Sequence, residues 1–316
     1  MKILIPDDYQ KATLTLQSIT KLMKSHEVLV INDLAKECDL EDKLKEIDIL
    51  ILIRERTSVD RNLLLKLPNL KLICQTGPIG SHIDIEACRD LGIEILDGGG
   101  DPTSAAEFAW LLMMSARRKL YKSVSDMQKG QWQTTFGNQM KGATLGIYGF
   151  GRIGKMVAQY AEAFGMSILV YGSERATQEA KDLGYHFTHS KDEFFTRPDI
   201  ISVHLRLSDK TREIIQLDDL LRMKPHAIFV NTARSALVEK GAIEKILSLE
   251  NSIYFALDVY DSEPVYESKL LQSDRVLCTP HLGYVTEESF ENYIEKACQN
   301  IASFMKSAEC RLSQYL

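Results

Sequence analysis

Short apolar runs alternate with amphipathic stretches from the first residues onward. Runs at 2–6, 26–31, 47–54, 70–75 and 92–96 read as buried strands, and 14–23, 34–44, 61–65 and 83–90 carry helical spacing between them. That alternation predicts a parallel sheet covered by helices, an α/β domain of its own. Asp97-Gly98-Gly99-Gly100 breaks the pattern, and Asp101-Pro102 then opens a helix running to Lys119. Its apolar residues lie on nearly every side (Phe108, Ala109, Trp110, Leu111, Leu112, Met113), as expected of a helix at an interface as well as in a core. Residues 120–142, with Trp132 and Phe136 among polar and glycine positions, read as an extended connection or a dimer arm. Strands resume near 145, 168, 200, 228, 255 and 277. A last helix from about Glu287 places Phe290, Tyr293, Ile294, Ala297, Ile301 and Phe304 on one face. It is expected to return to the first domain, giving a discontinuous domain of 1–99 plus 285–316 around a second of 100–284.

The most specific local signal sits mid-chain. An apolar strand, Leu145 to Tyr148, runs into Gly149-x-Gly151-x-x-Gly154, a helical stretch follows to Phe164, Gly165 stops it, and another strand begins at Ile168. Strand, glycine motif, helix and strand in that order are the dinucleotide-binding βαβ unit. One glycine makes the tight turn, the second admits a pyrophosphate, and the third lets helix and strand pack closely. The helix N-terminus offers free N–H groups and a partial positive charge to phosphate. A glycine-rich turn that serves packing alone is the competing reading.

Composition narrows the class. A chain of 316 residues with 45% hydrophobic and 26% charged residues suits two soluble globular domains. Net charge is −6 without a Lys/Arg run, so there is no electrostatic footprint for nucleic acid. The six cysteines (38, 74, 88, 278, 298, 310) are scattered, without Cys-x-x-Cys, and read as free thiols of a reducing compartment, with no metal expected. The opening Met-Lys-Ile-Leu-Ile-Pro is too short for a signal segment and no run spans a membrane, so the expected location is the cytoplasm.

Three strands after the fingerprint end in polar residues: Asn231-Thr232-Ala233-Arg234, Tyr260-Asp261-Ser262-Glu263-Pro264 and Pro280-His281-Leu282-Gly283. Ligands of open α/β sheets bind beyond the carboxyl ends of strands, where Arg234, Glu263 and His281 arrive from separate strands. Each alone also fits a surface arginine, a loop carboxylate or a capping histidine.

With these motifs, and with Val203-His204-Leu205, Asp258-Val-Tyr260, Glu263-Pro264 and Thr279-Pro-His281-Leu-Gly283, nearly the whole chain resembles the D-2-hydroxyacid dehydrogenases. That group contains D-3-phosphoglycerate dehydrogenase, glyoxylate/hydroxypyruvate reductase and phosphite dehydrogenase. The resemblance implies a Rossmann-type domain inserted into a smaller flavodoxin-like α/β substrate domain. It also implies hydride transfer between NAD(P)H and C2 of a small 2-oxoacid, in a homodimer formed through the Rossmann domain. Arg234 would hold the substrate carboxylate and 2-oxo group, His281 would be the general acid, and Glu263 would orient the imidazole. Cofactor contacts would come from Gly149, Gly151, Arg152, Ile153, Gly154, His204, Leu205, Thr232, Ala233 and Gly283, with Asp258 meeting the nicotinamide amide. Gly77, Pro78, Ile79 and Gly80 resemble the substrate loop, and Arg54, or Arg56 beside it, matches an arginine for a distal anionic group.

Departures from the family pattern bear on cofactor choice. An acid is expected where Gly172 stands; Ser173 and Arg175 suit a 2′-phosphate, whereas Glu174 suits ribose hydroxyls, leaving NAD and NADP both open. Arg206 replaces a proline, Ser235 a glycine, and Pro78-Ile79 is unusual in the substrate loop. Alternatives on the same scaffold are a phosphite-type dehydrogenase and a nucleotide-sensing corepressor.

Overall fold

The computed structural model describes residues 1–37 and 40–313, with side chains described to residue 307. The chain forms two compact units: Met1–Asp101 together with the segment from Thr286, and Pro102–Val285.

The first unit is built on β1 (Lys2–Ile5), β2 (Glu27–Val30), β3 (Ile49–Leu52), β4 (Leu72–Gln75) and β5 (Glu94–Asp97), all parallel in the order β2-β1-β3-β4-β5. This is the flavodoxin-like strand order. Every residue of β3 and β4 is buried, as continuous apolar strands covered on both faces must be. The helix Glu287–Ser313 buries Phe290, Tyr293, Ile294, Ala297 and Ile301 and packs on β4 and on the helix Gln17–Met23. Glu291 accepts from the backbone N–H groups of Gln17 at 2.5 Å and Ser18 at 3.1 Å, capping that helix from 273 or more positions away. Hydrogen bonding from Ser18, with the Gln17 N–H adding to it, holds its carboxyl below the usual range.

One expected helix is shorter than its spacing suggests. Of 34–44, the structure shows a turn at 34–36 and a helix only over Glu41–Lys45, residues 38–39 lying outside the described residues. The Leu34 N–H donates to the Asp7 carboxylate at 2.7 Å, which ties this turn to the end of β1.

The second unit has seven parallel strands: β6 (Thr144–Tyr148), β7 (Ser167–Tyr171), β8 (His186–Phe187), β9 (Ile200–Val203), β10 (Ile228–Asn231), β11 (Tyr254–Leu257) and β12 (Val276–Cys278), ordered β12-β11-β10-β9-β6-β7-β8. Strand order reverses at β6, which puts the fingerprint at the topological switch point. Side chains alternate between two apolar layers. Leu145, Ile147, Ile200, Ile228 and Val230 face the helices Thr103–Arg117 and Arg152–Ala163. Tyr148, Ile201, Phe229 and Phe255 enter the other layer with Phe194 and Phe195. Both faces being covered explains why these strands read as unbroken apolar runs.

Two readings are corrected. The two-residue β8 was not expected; it is too short to show periodicity. Residues 120–142 are not wholly extended: a helix spans Leu120–Gln128 after Lys119 turns left-handed at φ 51°. Buried Asp126 in that helix takes hydrogen bonds from Lys122 and Thr134, and its carbonyl takes one from Gln131 N–H, folding the segment back on itself. Trp132 and Phe136 remain 75% and 94% exposed.

Cys74, Cys88, Cys278 and Cys298 are free thiols, and burial pushes Cys74 up to about 12. Cys38 and the side chain of Cys310 lie outside the described residues. Among the described residues no cluster suits a metal ion, and no helix is long and apolar enough to cross a membrane.

Phe194, fully buried with edge contacts to Tyr148 at 5.6 Å and Phe195 at 5.4 Å, anchors the second layer. Phe194→Ala is expected to cost about 3–5 kcal/mol, read as a lower urea midpoint for the second unit.

Candidate active site

Each expected residue group is placed by a specific local device. At the fingerprint the three glycines answer three different steric demands. Gly149 is at φ +95°, and a Cβ there would lie 2.8 Å from the His204 carbonyl oxygen and 2.9 Å from Leu205 Cδ2. A Cβ on Gly154 would sit 2.4 Å from the Gly149 carbonyl oxygen, so only glycine lets this turn close. A Cβ on Gly151 would meet nothing within 4 Å: its backbone is open to a ligand. Gly151 is also the N-cap of Arg152–Ala163, without a side chain to occupy the free N–H groups. These observations fit a pyrophosphate. Arg152 is exposed and Ile153 half-buried in the first turn.

Beside that turn, the His204 N–H donates to the Tyr148 carbonyl at 2.8 Å, and its Nε2 lies 2.9 Å from Ser202 Oγ. Burial pushes the imidazole down to about 4, so it is neutral at physiological pH. At the end of β7, Ser173 caps the helix Glu174–Asp182, its Oγ accepting from the Ala176 N–H at 3.4 Å. Arg175 is 81% exposed and pairs through Nε with Glu179 at 3.0 Å. A Cβ on Gly172 would meet Ala176 Cβ at 3.1 Å and Gly149 at 3.8 Å, so the absent acid would have faced the fingerprint.

Arg234, Glu263 and His281 come from the loops after β10, β11 and β12. Asn231 shapes the first loop: its Oδ1 accepts from the Ala233 N–H at 3.0 Å and its Nδ2 donates to the Arg234 carbonyl at 2.9 Å. Thr232, Ala233 and Arg234 are thereby held half-buried, with Arg234 extended. Sequence reasoning did not give Asn231 this role, although an Asn three residues before an Arg at a strand end signals such a turn. His281 Nδ1 lies 2.6 Å from Glu263 Oε2, and Glu263 Oε1 accepts from the Tyr260 N–H at 2.9 Å. Since the carboxylate only accepts, Nδ1 carries the hydrogen in this contact.

His281 is left-handed at φ +53°, an unfavourable region for a side chain of its size. Asp258 is what pins it there. Fully buried, its Oδ1 accepts from Thr279 Oγ1 at 2.6 Å and the Leu282 N–H at 2.8 Å, and its Oδ2 from the Gly283 N–H at 2.9 Å. Burial raises its pKa against the pull of these donors. Both oxygens of Asp258, the residue expected to meet the nicotinamide amide, accept from the histidine loop. Buried Gly283, expected as a cofactor contact, is one of its donors.

In the first unit Arg54 and Gly77 are interlocked. Gly77 is at φ +115°, and a Cβ there would fall 1.8 Å from Arg54 Nη1; the same nitrogen donates to the Thr76 carbonyl at 3.3 Å. The loop thus folds directly over the guanidinium. Pro78 is exposed, Ile79 packs on the core, and a Cβ on Gly80 would lie 3.1 Å from His82 Nδ1. Arg56 donates to the Asp7 carbonyl at 2.8 Å and lies over the rings of Tyr9 and Phe290, at 4.9 and 5.6 Å.

Comparisons with known proteins agree on one family. Residues 110–283 match the model of the D-isomer specific 2-hydroxyacid dehydrogenase NAD binding domain. The chain is 34% identical over 292 residues to D-3-phosphoglycerate dehydrogenase of Methanocaldococcus jannaschii, covering 92% of this chain and 54% of that protein. It is 33% identical over 278 residues to glyoxylate reductase of Thermococcus litoralis, covering 84% and 83%. The crystal structure of a phosphoglycerate oxidoreductase from Vibrio cholerae o395 superposes with a TM-score of 0.92 at 44% identity, covering 97% of this chain and 99% of that one. The chain belongs to the D-isomer specific 2-hydroxyacid dehydrogenase family. It is an NAD(P)-dependent oxidoreductase, of the class that moves hydride between the nicotinamide and C2 of a small 2-oxoacid or 2-hydroxyacid.

The His204 geometry has a pH consequence. Unfolded, an imidazole protonates near 6.5; folded, this one does so only near 4. Between those values the unfolded chain binds more protons, so this group's contribution to stability is complete above 6.5 and is lost as pH falls toward 4. Thermal melts of His204→Gln are expected to decline less steeply than wild type across that window; parallel declines would contradict the assignment.

Proposed function

We propose that this chain reduces a small 2-oxoacid through Arg234, Glu263 and His281. The bound nicotinamide nucleotide would supply the hydride to C2 of the substrate. Arg234 would grip the carboxylate and 2-oxo oxygens with its planar fork. His281, protonated on both nitrogens, would pass its Nε2 proton to the oxygen that becomes the hydroxyl, while Glu263 holds Nδ1–H and orients the ring. In the oxidative direction the same Nε2 would take the proton back. The 2.6 Å contact between His281 Nδ1 and Glu263 carries this reading. A nucleotide sensor has no use for such a pair, which favours the reductase over the sensor.

For the substrate, the Gly77–Gly80 backbone is assigned to the carboxylate and Arg54 to a distal anionic group, such as a phosphate on a three-carbon acid. The nucleotide would be held by Gly149, Gly151, Arg152, Ile153 and Gly154, with His204, Leu205, Thr232, Ala233 and Gly283 lining its site and Asp258 meeting the nicotinamide amide. At the adenosine end, Ser173 and Arg175 suit NADP and Glu174 suits NAD; turnover with each nucleotide separates the two. The free thiols fit a reducing cytoplasm. The exposed Leu111, Leu120, Val124, Met127, Trp132 and Phe136 fit a homodimer interface on the second unit.

His281→Asn is expected to cut turnover by about two decades or more while the Kd for nucleotide stays near wild type. Arg234→Ala should raise KM for the oxoacid and lower kcat together. These rates are read by following NADH and NADPH oxidation over a panel of glyoxylate, hydroxypyruvate, 3-phosphohydroxypyruvate, pyruvate and bulkier 2-oxoacids. Wild-type rates in either variant would overturn the site, and no oxidation across the panel would favour a sensor.

A further inference from the structure

Tyr260 bonds the carboxylate of the histidine–carboxylate pair with one atom and the loop that carries the histidine with another. Its backbone N–H donates to Glu263 Oε1 at 2.9 Å, and the other oxygen of that carboxylate holds His281. Its hydroxyl lies 2.9 Å from the carbonyl oxygen of Thr279, two residues before His281, and 3.1 Å from that of Leu257, the last residue of β11. The Thr279 N–H also donates to the Leu257 carbonyl, at 2.9 Å. The ring packs against the apolar layer that contains Phe229 and Phe255, so the hydroxyl is presented from a fixed base. Asp258 grips the histidine loop through Thr279 Oγ1 and the two amides beyond His281. From the carboxylate's own loop, the Tyr260 side chain thus reaches the main chain ahead of His281.

This arrangement matters because the conformation it restrains does not hold itself. A non-glycine residue in the left-handed region relaxes unless its neighbours over-determine it. A rotation of the peptide between Thr279 and His281 would swing the imidazole away from Glu263 and turn Nε2 from its target. Misplacing an acid by about 1 Å can cost a hundredfold in rate.

We propose that Tyr260 is a positioning residue for proton transfer: its hydroxyl, bonded to the Thr279 carbonyl, locks the backbone that presents His281, while its N–H fixes the carboxylate that orients the ring. The inference rests on the reading of His281 as the general acid.

Tyr260→Phe tests it, since the ring and the backbone N–H both remain and only the hydroxyl is lost. Turnover should fall about two- to tenfold, the span of one net hydrogen bond, with the nucleotide Kd unchanged. The solvent deuterium isotope effect on kcat should rise as proton delivery is misaligned. In a His281→Asn background the same substitution should cost nothing further, because its effect runs through the imidazole. Thr279→Val, which cuts the brace to Asp258 and leaves Tyr260 intact, should also raise the isotope effect. If Tyr260→Phe keeps wild-type turnover, or slows wild type and His281→Asn by the same factor with an unchanged isotope effect, the hydroxyl serves only the fold and the proposal fails. If His281→Asn itself turns over at the wild-type rate, the general-acid reading fails and this proposal with it.

Discussion

The buried carboxylate of Asp258 organises the chemistry-bearing end of the second sheet. A charge taken out of water is tolerable only when hydrogen bonds replace its solvation, and here a threonine hydroxyl and two amides do so. All three donors belong to the loop after β12. Satisfying the carboxylate therefore forces that loop into one path, with His281 left-handed at its bend. The pairing of His281 with Glu263 follows from that path, since the two residues descend from adjacent strands β12 and β11. Removing Asp258 would cost the loop its shape before it cost the site a ligand contact.

The fingerprint end depends on a different constraint, the exclusion of side-chain atoms. Gly149 and Gly154 are glycines because backbone oxygens occupy the space a Cβ would need, and Gly151 because its backbone must stay approachable. Gly77 obeys the same logic in the first unit, where the Arg54 guanidinium takes the place of a Cβ. In each case a glycine in the sequence records the close approach of another group, but only in the fingerprint does its spacing say which one.

Much of this was legible beforehand. Two parallel α/β sheets follow from the alternation of apolar runs, because strands covered on both faces must be apolar throughout. The strand–glycine–helix unit at 145–164 was recognisable because its three steric demands fall at fixed spacing. Arg234, Glu263 and His281 stood out as polar residues at strand ends. The helix at Leu120–Gln128 was passed over because it is short and its apolar positions Leu120, Val124 and Met127 stay exposed, while Asp126 folds the segment back through Thr134 and Gln131. Nor was the shortening of the helix expected over 34–44, where a carboxylate from residue 7 holds the turn at Leu34.

What the chain determined by itself is whatever depends on local order: periodicity, glycine spacing, and the kinds of side chain that close each strand. Tertiary structure decided which partner each polar group takes. Asp258, read as a ligand contact, also braces the histidine loop, and Arg56, read beside Arg54 as a substrate arginine, also bonds the Asp7 carbonyl and lies over Tyr9 and Phe290. Tyr260 read only as part of a motif, and its hydroxyl bonds a carbonyl 19 residues away. Hydrogen bonds and steric exclusion act over a few ångströms in space and carry no trace of separation along the chain, so those roles emerge only once the strands are side by side.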